Sequence, residues 1–166
     1  MSTVTMIGSP VYEGAVKSEW IDFNQHMNVA YYVLAFDLGI DALWFDFGID
    51  DQYISSKRGS TFGVECHVSW LRELHENDPY IITTQLLGYD EKRIHQFQRM
   101  YHANEGYLAA TAEWMNLHVS LETRRVTSWP DDVLARIAGF AAVQVGQVRP
   151  EQAGHRMSIR DPLYTL

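Results

Sequence analysis

The hydrophobic pattern changes period along the chain, and each change marks an element. Residues 11–21 (VYEGAVKSEWI) set strand formers beside polar partners and predict a first strand. Asn28 then opens NVAYYVLAFDLGIDALWFDFG, which is apolar nearly all round, with Asp37, Asp41 and Asp46 as its few charges. Its length favours helix over strand, and a helix of this kind is buried on most sides. Asn28 suits an N-cap and Gly48 a stop. Beyond a loop containing Lys57, Arg58 and Gly59, residues 61–75, 80–90, 92–103 and 107–122 form four runs rich in Val, Ile, Thr, Tyr and Trp. The breaks at Asn77-Asp78-Pro79, Tyr89-Asp90-Glu91-Lys92 and Asn104-Glu105-Gly106 are short enough for antiparallel meander connections. PDDVLARIAGFAAVQ reads as a last helix, with Pro130 at its first position and Asp131 and Asp132 in its first turn.

The order is strand, long buried helix, four strands and a terminal helix, an α+β pattern. A single antiparallel sheet wrapped round one apolar helix buries both well, and that is the hot-dog fold. Helices laid flat across an open sheet give the same string. No repeat or linker-like tract precedes residue 145. The expected organisation is therefore a flexible start over 1–10, one domain over 11–145 and a tail over 146–166.

With 166 residues and 46% apolar composition, the chain can bury a real core. A net charge of −8 argues against a nucleic-acid partner, which needs a basic face, but leaves room for a small anionic ligand held by a few local cations. The single cysteine, Cys66, suits a reducing compartment. The first residues lack a signal-peptide pattern and no run reaches membrane-span length, so a cytoplasmic protein without membrane contact is expected.

The chemistry concentrates at Asp22-Phe23-Asn24-Gln25-His26-Met27-Asn28. If this segment is extended, Asp22, Asn24 and His26 project to one side, and Asn28 continues the phase where the helix begins. A carboxylate, an amide and an imidazole then meet a helix N-terminus whose free N–H groups receive developing negative charge. Acyl transfer to water needs such a set. The spacing alone reads equally well as an Asx-rich turn whose side chains only cap the helix.

DFNQHMNVAY resembles the signature of hot-dog thioesterases, an Asp-x-Asn-Gly/Gln-His-Val/Met-Asn segment leading into the central helix. Its wording is close to the Asn-Gln-His-Val-Asn-Asn of plant acyl-ACP thioesterases and, more broadly, to the 4-hydroxybenzoyl-CoA thioesterase family, many members of which have Gly at the position of Gln25. The resemblance implies Asp22 as the catalytic carboxylate and an oxyanion site at the helix N-terminus, around Asn28 and Val29. It also implies Asn24, His26 and Glu65 of the Glu65-Cys66 pair as further catalytic groups. Two departures stand out: Val29 replaces a second Asn, and one hot-dog unit replaces two. Over residues 11 to about 145 the chain is similar to bacterial thioesterases of carnitine breakdown, through Asp22–Asn28, Gly63–His67, Arg72–Leu74, Lys92–His95 and Ala110–His118. The implied reaction is hydrolysis of an acyl-CoA, with betainyl-CoA one candidate. The alternatives are a fatty acyl-CoA or acyl-ACP thioesterase and a non-catalytic acyl-CoA-binding hot dog. Coenzyme A is part of the substrate, so no cofactor or metal is implied, and a homodimer or dimer of dimers is the expected assembly.

The remaining polar residues admit plainer readings. Of seven histidines, His67, His75, His95, His102 and His118 lie in the strand region without a ligand-cluster spacing, and they read as strand residues. Cys66 reads as a packed core cysteine. Glu113, amid apolar neighbours, needs a basic partner or a cation-binding role. With rings such as Tyr31 and Trp70 it is a candidate for a quaternary-ammonium box. Lys57, Arg58, Lys92 and Arg93, and the Arg124-Arg125 pair, are candidates for CoA phosphates.

Overall fold

Asn28 starts the central helix as its composition requires. In the computed structural model, which describes residues 6–56 and 58–157, its side chain accepts from the Ala30 N–H at 3.0 Å and opens α1 (Val29–Asp46). The other end closes on Gly48, whose φ of +82° is the left-handed conformation glycine favours. The Gly48 N–H donates to Phe45 O and the Ile49 N–H to Trp44 O, so the last carbonyls are satisfied.

Five strands surround this helix: β1 (Ser9–Ala15), β2 (Ser60–Trp70), β3 (Pro79–Tyr89), β4 (Arg93–His102) and β5 (Leu108–Val119). All neighbours are antiparallel in the order β1-β3-β4-β5-β2. Tyr32, Ala35, Phe36, Ile40, Leu43 and Trp44 of α1 are buried, and Phe36 and Leu43 are completely so. They pack with Ile82, Met100, Ala110 and Ala112 at one end, and with Ile94, Trp129, Val133 and Ile137 at the other. This is the expected hot-dog arrangement.

The sequence reading needs four corrections. β1 starts at Ser9 and ends at Ala15, and a short 3-10 turn, Ser18–Trp20, follows it. The expected loop after α1 contains a one-turn helix, α2 (Asp51–Ser55), capped by Asp50 Oδ1 accepting from the Tyr53 N–H at 2.8 Å. The four later strands are not one meander. β2 pairs with β5, so the 71–78 connection must cross the end of the sheet to reach β3. The expected flexible start is tied down from Ile7, whose N–H donates to Tyr101 Oη and whose carbonyl accepts from Thr83 Oγ1.

Beyond α3 (Asp131–Ala142) the tail lies along the outer face of the sheet. Gln144 is buried there, donating to Thr84 O and Ser9 Oγ and accepting from the Leu86 N–H. Gln85 donates to Val148 O, and the Gly154 N–H donates to Glu113 Oε2.

Candidate active site

The Asp22–Asn28 segment is a tight turn, not an extended strand. Ile21 and Met27 form an isolated antiparallel bridge, the Asp22 N–H donates to His26 O at 3.1 Å, and the Gln25 N–H donates to Asp22 O at 3.0 Å. Gln25 has φ +68°, which only a glycine adopts without strain, and Phe23 projects into solvent at the tip. Convergence therefore comes from reversal of the chain and not from alternation.

The turn fixes the Asp22 carboxylate from two sides. Oδ1 accepts from the Asn24 N–H at 2.8 Å, and Oδ2 accepts from Asn28 Nδ2 at 3.3 Å. Asn28 thus holds the carboxylate with its amide nitrogen while capping α1 with its amide oxygen. His26 Nδ1 donates to the Met27 carbonyl at 3.3 Å, which leaves Nε2 as the unprotonated nitrogen of the neutral ring. At the helix start the Ala30 and Tyr31 N–H groups are taken by Asn28 Oδ1 and Asn28 O. The Val29 N–H has no acceptor among the described residues.

Val29 and His26 open into a cavity of about 310 Å³, walled also by Met27, Tyr32, Trp70, Leu71, Arg72 and Glu73. Burial, opposed by a hydrogen bond from the Leu74 N–H, pushes the Tyr32 phenol up to about 12, so it stays protonated. Tyr31 lies behind this wall, stacked on Trp20 at 5.4 Å between ring centroids.

The other candidate residues fall elsewhere. Glu65 lines a separate cavity of about 570 Å³ on the outer face, with His67, His95, Glu113, Met115 and the tail residues Gly154 and His155. The carboxylate nearest His26 is Glu73, with Oε1 3.8 Å from Nε2. Glu113 is committed to His95 Nε2 at 2.6 Å and to the Gly154 N–H. It therefore has the basic partner its burial calls for and stands apart from Trp70 and Tyr31. Cys66 lies exposed on the free edge and not in the core. Desolvation nevertheless pushes its thiol up to about 12, which argues against a thiolate nucleophile.

The candidate phosphate cations are engaged locally. Arg58 pairs with Asp132 at 2.7 Å and lies over the Tyr53 ring, while the Arg93 guanidinium binds Asp90, whose carboxyl it holds low. Lys92 sits 3.8 Å from Glu91, Arg124 lies over Phe62, and Lys57 is outside the described residues. No group of three or more His, Cys, Asp or Glu among the described residues is arranged to hold a metal ion. Likewise, no helix there is long and apolar enough to cross a membrane.

Glu73 and Arg72 are wall residues to which sequence reasoning gave no role in the site. The available signal was the end of the Val68-Ser69-Trp70 alternation, after which Leu71–Leu74 need not be strand.

Comparison with known proteins agrees with this fold. A betainyl-CoA thioesterase of Pseudomonas aeruginosa is 38% identical over 143 residues, covering 86% of this chain and 90% of its own. The L-carnitine dehydrogenase/betainyl-CoA thioesterase of Ruegeria pomeroyi is also 38% identical, but the match covers 89% of this chain and only 29% of that larger protein. A Staphylococcus aureus protein solved in complex with CoA superposes with a TM-score of 0.86 at 30% identity, over 95% of this chain and 99% of its own. The profile of the thioesterase-like superfamily matches residues 16–137, and the chain belongs to that superfamily.

Proposed function

We propose that this protein is a thioester hydrolase that cleaves an acyl-CoA to free acid and CoA at the turn before α1, with betainyl-CoA as its substrate. The observation that carries the proposal is the unpartnered Val29 N–H. Val29 and His26 line a cavity walled by Trp70 and Tyr32, and the Asn28 cap that precedes Val29 holds the Asp22 carboxylate. The positive end of α1 adds to that donor, and together they stabilise the oxygen that becomes negative as the thioester carbonyl turns tetrahedral.

Asp22 either attacks the carbonyl carbon or takes a proton from an attacking water. In both routes the C–S bond breaks, CoA leaves and gains a proton as its thiol, and water supplies the hydroxyl of the product acid. Asn24 and Asn28 hold the carboxylate, and in the route in which Asp22 attacks, His26 accepts the proton of the water that opens the acyl-Asp22 intermediate. Glu65, across the sheet from this set, keeps at most an indirect part. Arg72, a wall residue of the cavity, is better placed for a CoA phosphate than Lys92 or Arg93.

The 38% identity to a betainyl-CoA thioesterase supports the acyl group. The roughly 310 Å³ cavity, with two aromatic walls, suits a short quaternary-ammonium acyl group better than a fatty chain. Thiol release should therefore be fastest from betainyl-CoA in a panel that includes short-chain, aromatic and long-chain esters. Preference for a long chain would favour the fatty acyl reading, and binding without thiol release would favour a non-catalytic acyl-CoA binder.

The reading includes a homodimer joined at β2. That strand is 11 residues long, pairs on one side only, and exposes Val64, Trp70 and the neighbouring Leu71, beside Leu34 and Phe45 of α1. An unprotected apolar edge of this length calls for a covering strand. A monomeric mass in light scattering would contradict it.

A further inference from the structure

We infer that Glu73 is a positioning residue for the hydrolysis: it faces His26 Nε2 and stabilises the imidazolium that forms when His26 takes a proton. This rests on the reading of the site given above.

The topology brings Glu73 to the site. Because β2 lies at one edge of the sheet and β3 near the other, the 71–78 connection passes over the sheet end where α1 begins. Three hydrogen bonds pin its backbone there. Tyr107 Oη donates to Glu73 O at 2.8 Å, the Leu74 N–H donates to Tyr32 Oη at 2.9 Å, and the Met27 N–H donates to Leu74 O at 2.7 Å. The last bond ties the segment directly to the residue after His26. A carboxylate held by such a shell is aimed, although Glu73 itself is exposed.

The groups around the pair agree with this role. His26 Nε2 faces Glu73 Oε1 at 3.8 Å, and the other Glu73 oxygen lies 3.9 Å from His75 Nε2. His75 is anchored in turn, its N–H donating to Asp78 Oδ2 at 2.8 Å. The buried His102 accepts the Asn104 and Glu105 N–H groups on Nδ1, so Nε2 carries the hydrogen that faces Asp78 Oδ1 at 3.5 Å. Carboxylates and imidazoles thus alternate from His26 to the core. The other charged groups near His26 are Asp22 in its own turn and Arg72 in the cavity wall. Arg72 is drawn toward Glu105 at 3.7 Å and lies over the Tyr107 ring, which leaves Glu73 to His26 and His75. The 3.8 Å gap closes by a small side-chain movement, as catalytic contacts commonly do when substrate binds.

The proton balance is simple. When Asp22 attacks, the C–S bond breaks as the acyl-Asp22 anhydride forms, and CoA leaves as a thiolate that takes a proton from solvent. Water then gives a proton to His26 Nε2 as its oxygen bonds to the anhydride carbon, Glu73 holds the cation formed, the bond from that carbon to Asp22 breaks to restore the carboxylate, and His26 returns its proton to solvent.

The test compares Glu73→Gln, Glu73→Asp, His26→Asn and the Glu73→Gln/His26→Asn double variant, using free-thiol release from a CoA ester that the wild type hydrolyses. Glu73→Gln should melt at the wild-type temperature, because the side chain is exposed. Its kcat should fall roughly tenfold while KM changes little. Glu73→Asp should recover part of kcat, and Glu73→Gln should add nothing in the His26→Asn background. A Glu73→Gln enzyme with wild-type kcat, or one altered only in KM, would overturn the inference. If His26→Asn is also fully active, the reading of the site itself fails. If His26→Asn is inactive and Glu73→Gln is normal, only the role of Glu73 fails.

Discussion

Two cavities on opposite faces of the sheet each combine carboxylates with imidazoles, and only one has the features of a reaction site. The outer one is larger, about 570 Å³ against 310 Å³, and contains the tighter pair, His95 to Glu113 at 2.6 Å. Yet that pair is already satisfied: Glu113 takes its second bond from the Gly154 N–H, and the tail lies over it. The cavity at the α1 N-terminus is looser, with His26 and Glu73 3.8 Å apart and the Val29 N–H free. Unused donors and a lone pair facing open space do chemistry, whereas a closed pair holds a structure together.

That contrast can be broken or sharpened by substitution. The largest effect is expected from His26→Asn, which should cut thiol release roughly 10²–10⁴-fold, the range for a lost general base, with no comparable loss for His95→Asn. Asn28→Ala should follow, lowering kcat/KM about tenfold by freeing Asp22. It should also cost about 1 kcal/mol of stability in denaturant unfolding through the lost cap. Gln25→Val should destabilise the turn by about 1–3 kcal/mol, while Gln25→Gly should be tolerated, since φ +68° suits glycine. The smallest change in activity, within about twofold, is expected from Glu113→Gln, which touches no reacting group. Its effect should appear as faster proteolytic cutting of the tail.

A pH dependence of stability belongs to a third region. His118 is buried, accepts from Tyr53 Oη on Nε2 at 2.7 Å and donates from Nδ1 to Ser128 O at 2.9 Å. Desolvation, only partly opposed by those carbonyls, lowers its pKa from 6.5. The unfolded chain therefore binds this proton more readily than the folded one. The contribution of His118 to stability is present above pH 6.5 and is lost as pH falls through 6.5 toward the folded value. Denaturant midpoints between pH 8 and 5 should fall more steeply for wild type than for His118→Gln.

Much of this was legible in the sequence, for local reasons. The Asn28 cap, the Gly48 stop and the α1 apolar surface are local signals, and the turn breaks placed β3, β4 and β5 to within about three residues, whereas β2 ends at Trp70 and not at 75. Strand partners were not legible. Short breaks suggested a meander, but a sheet closing round a helix places β2 next to β5, and no local residue encodes that choice. Within one chain Glu65 shares an outward phase with His67 and lines the outer cavity, while Glu73 comes near His26 because the β2–β3 connection crosses the sheet end. The motif marked Asp22, Asn24, His26 and Asn28 correctly as neighbours, yet the extended geometry expected of them is a reversed turn. Alternation of polar residues does not exclude a turn when the left-handed position carries a flexible side chain such as Gln25.

The central claim is that hydrolysis occurs at the turn before α1 and depends on Asp22. The most direct test is thiol release from betainyl-CoA by Asp22→Asn, assayed beside Glu113→Gln and wild type. The account predicts a loss of roughly 10²–10⁴-fold for Asp22→Asn and near wild-type turnover for Glu113→Gln. Wild-type turnover by a folded Asp22→Asn enzyme would contradict it.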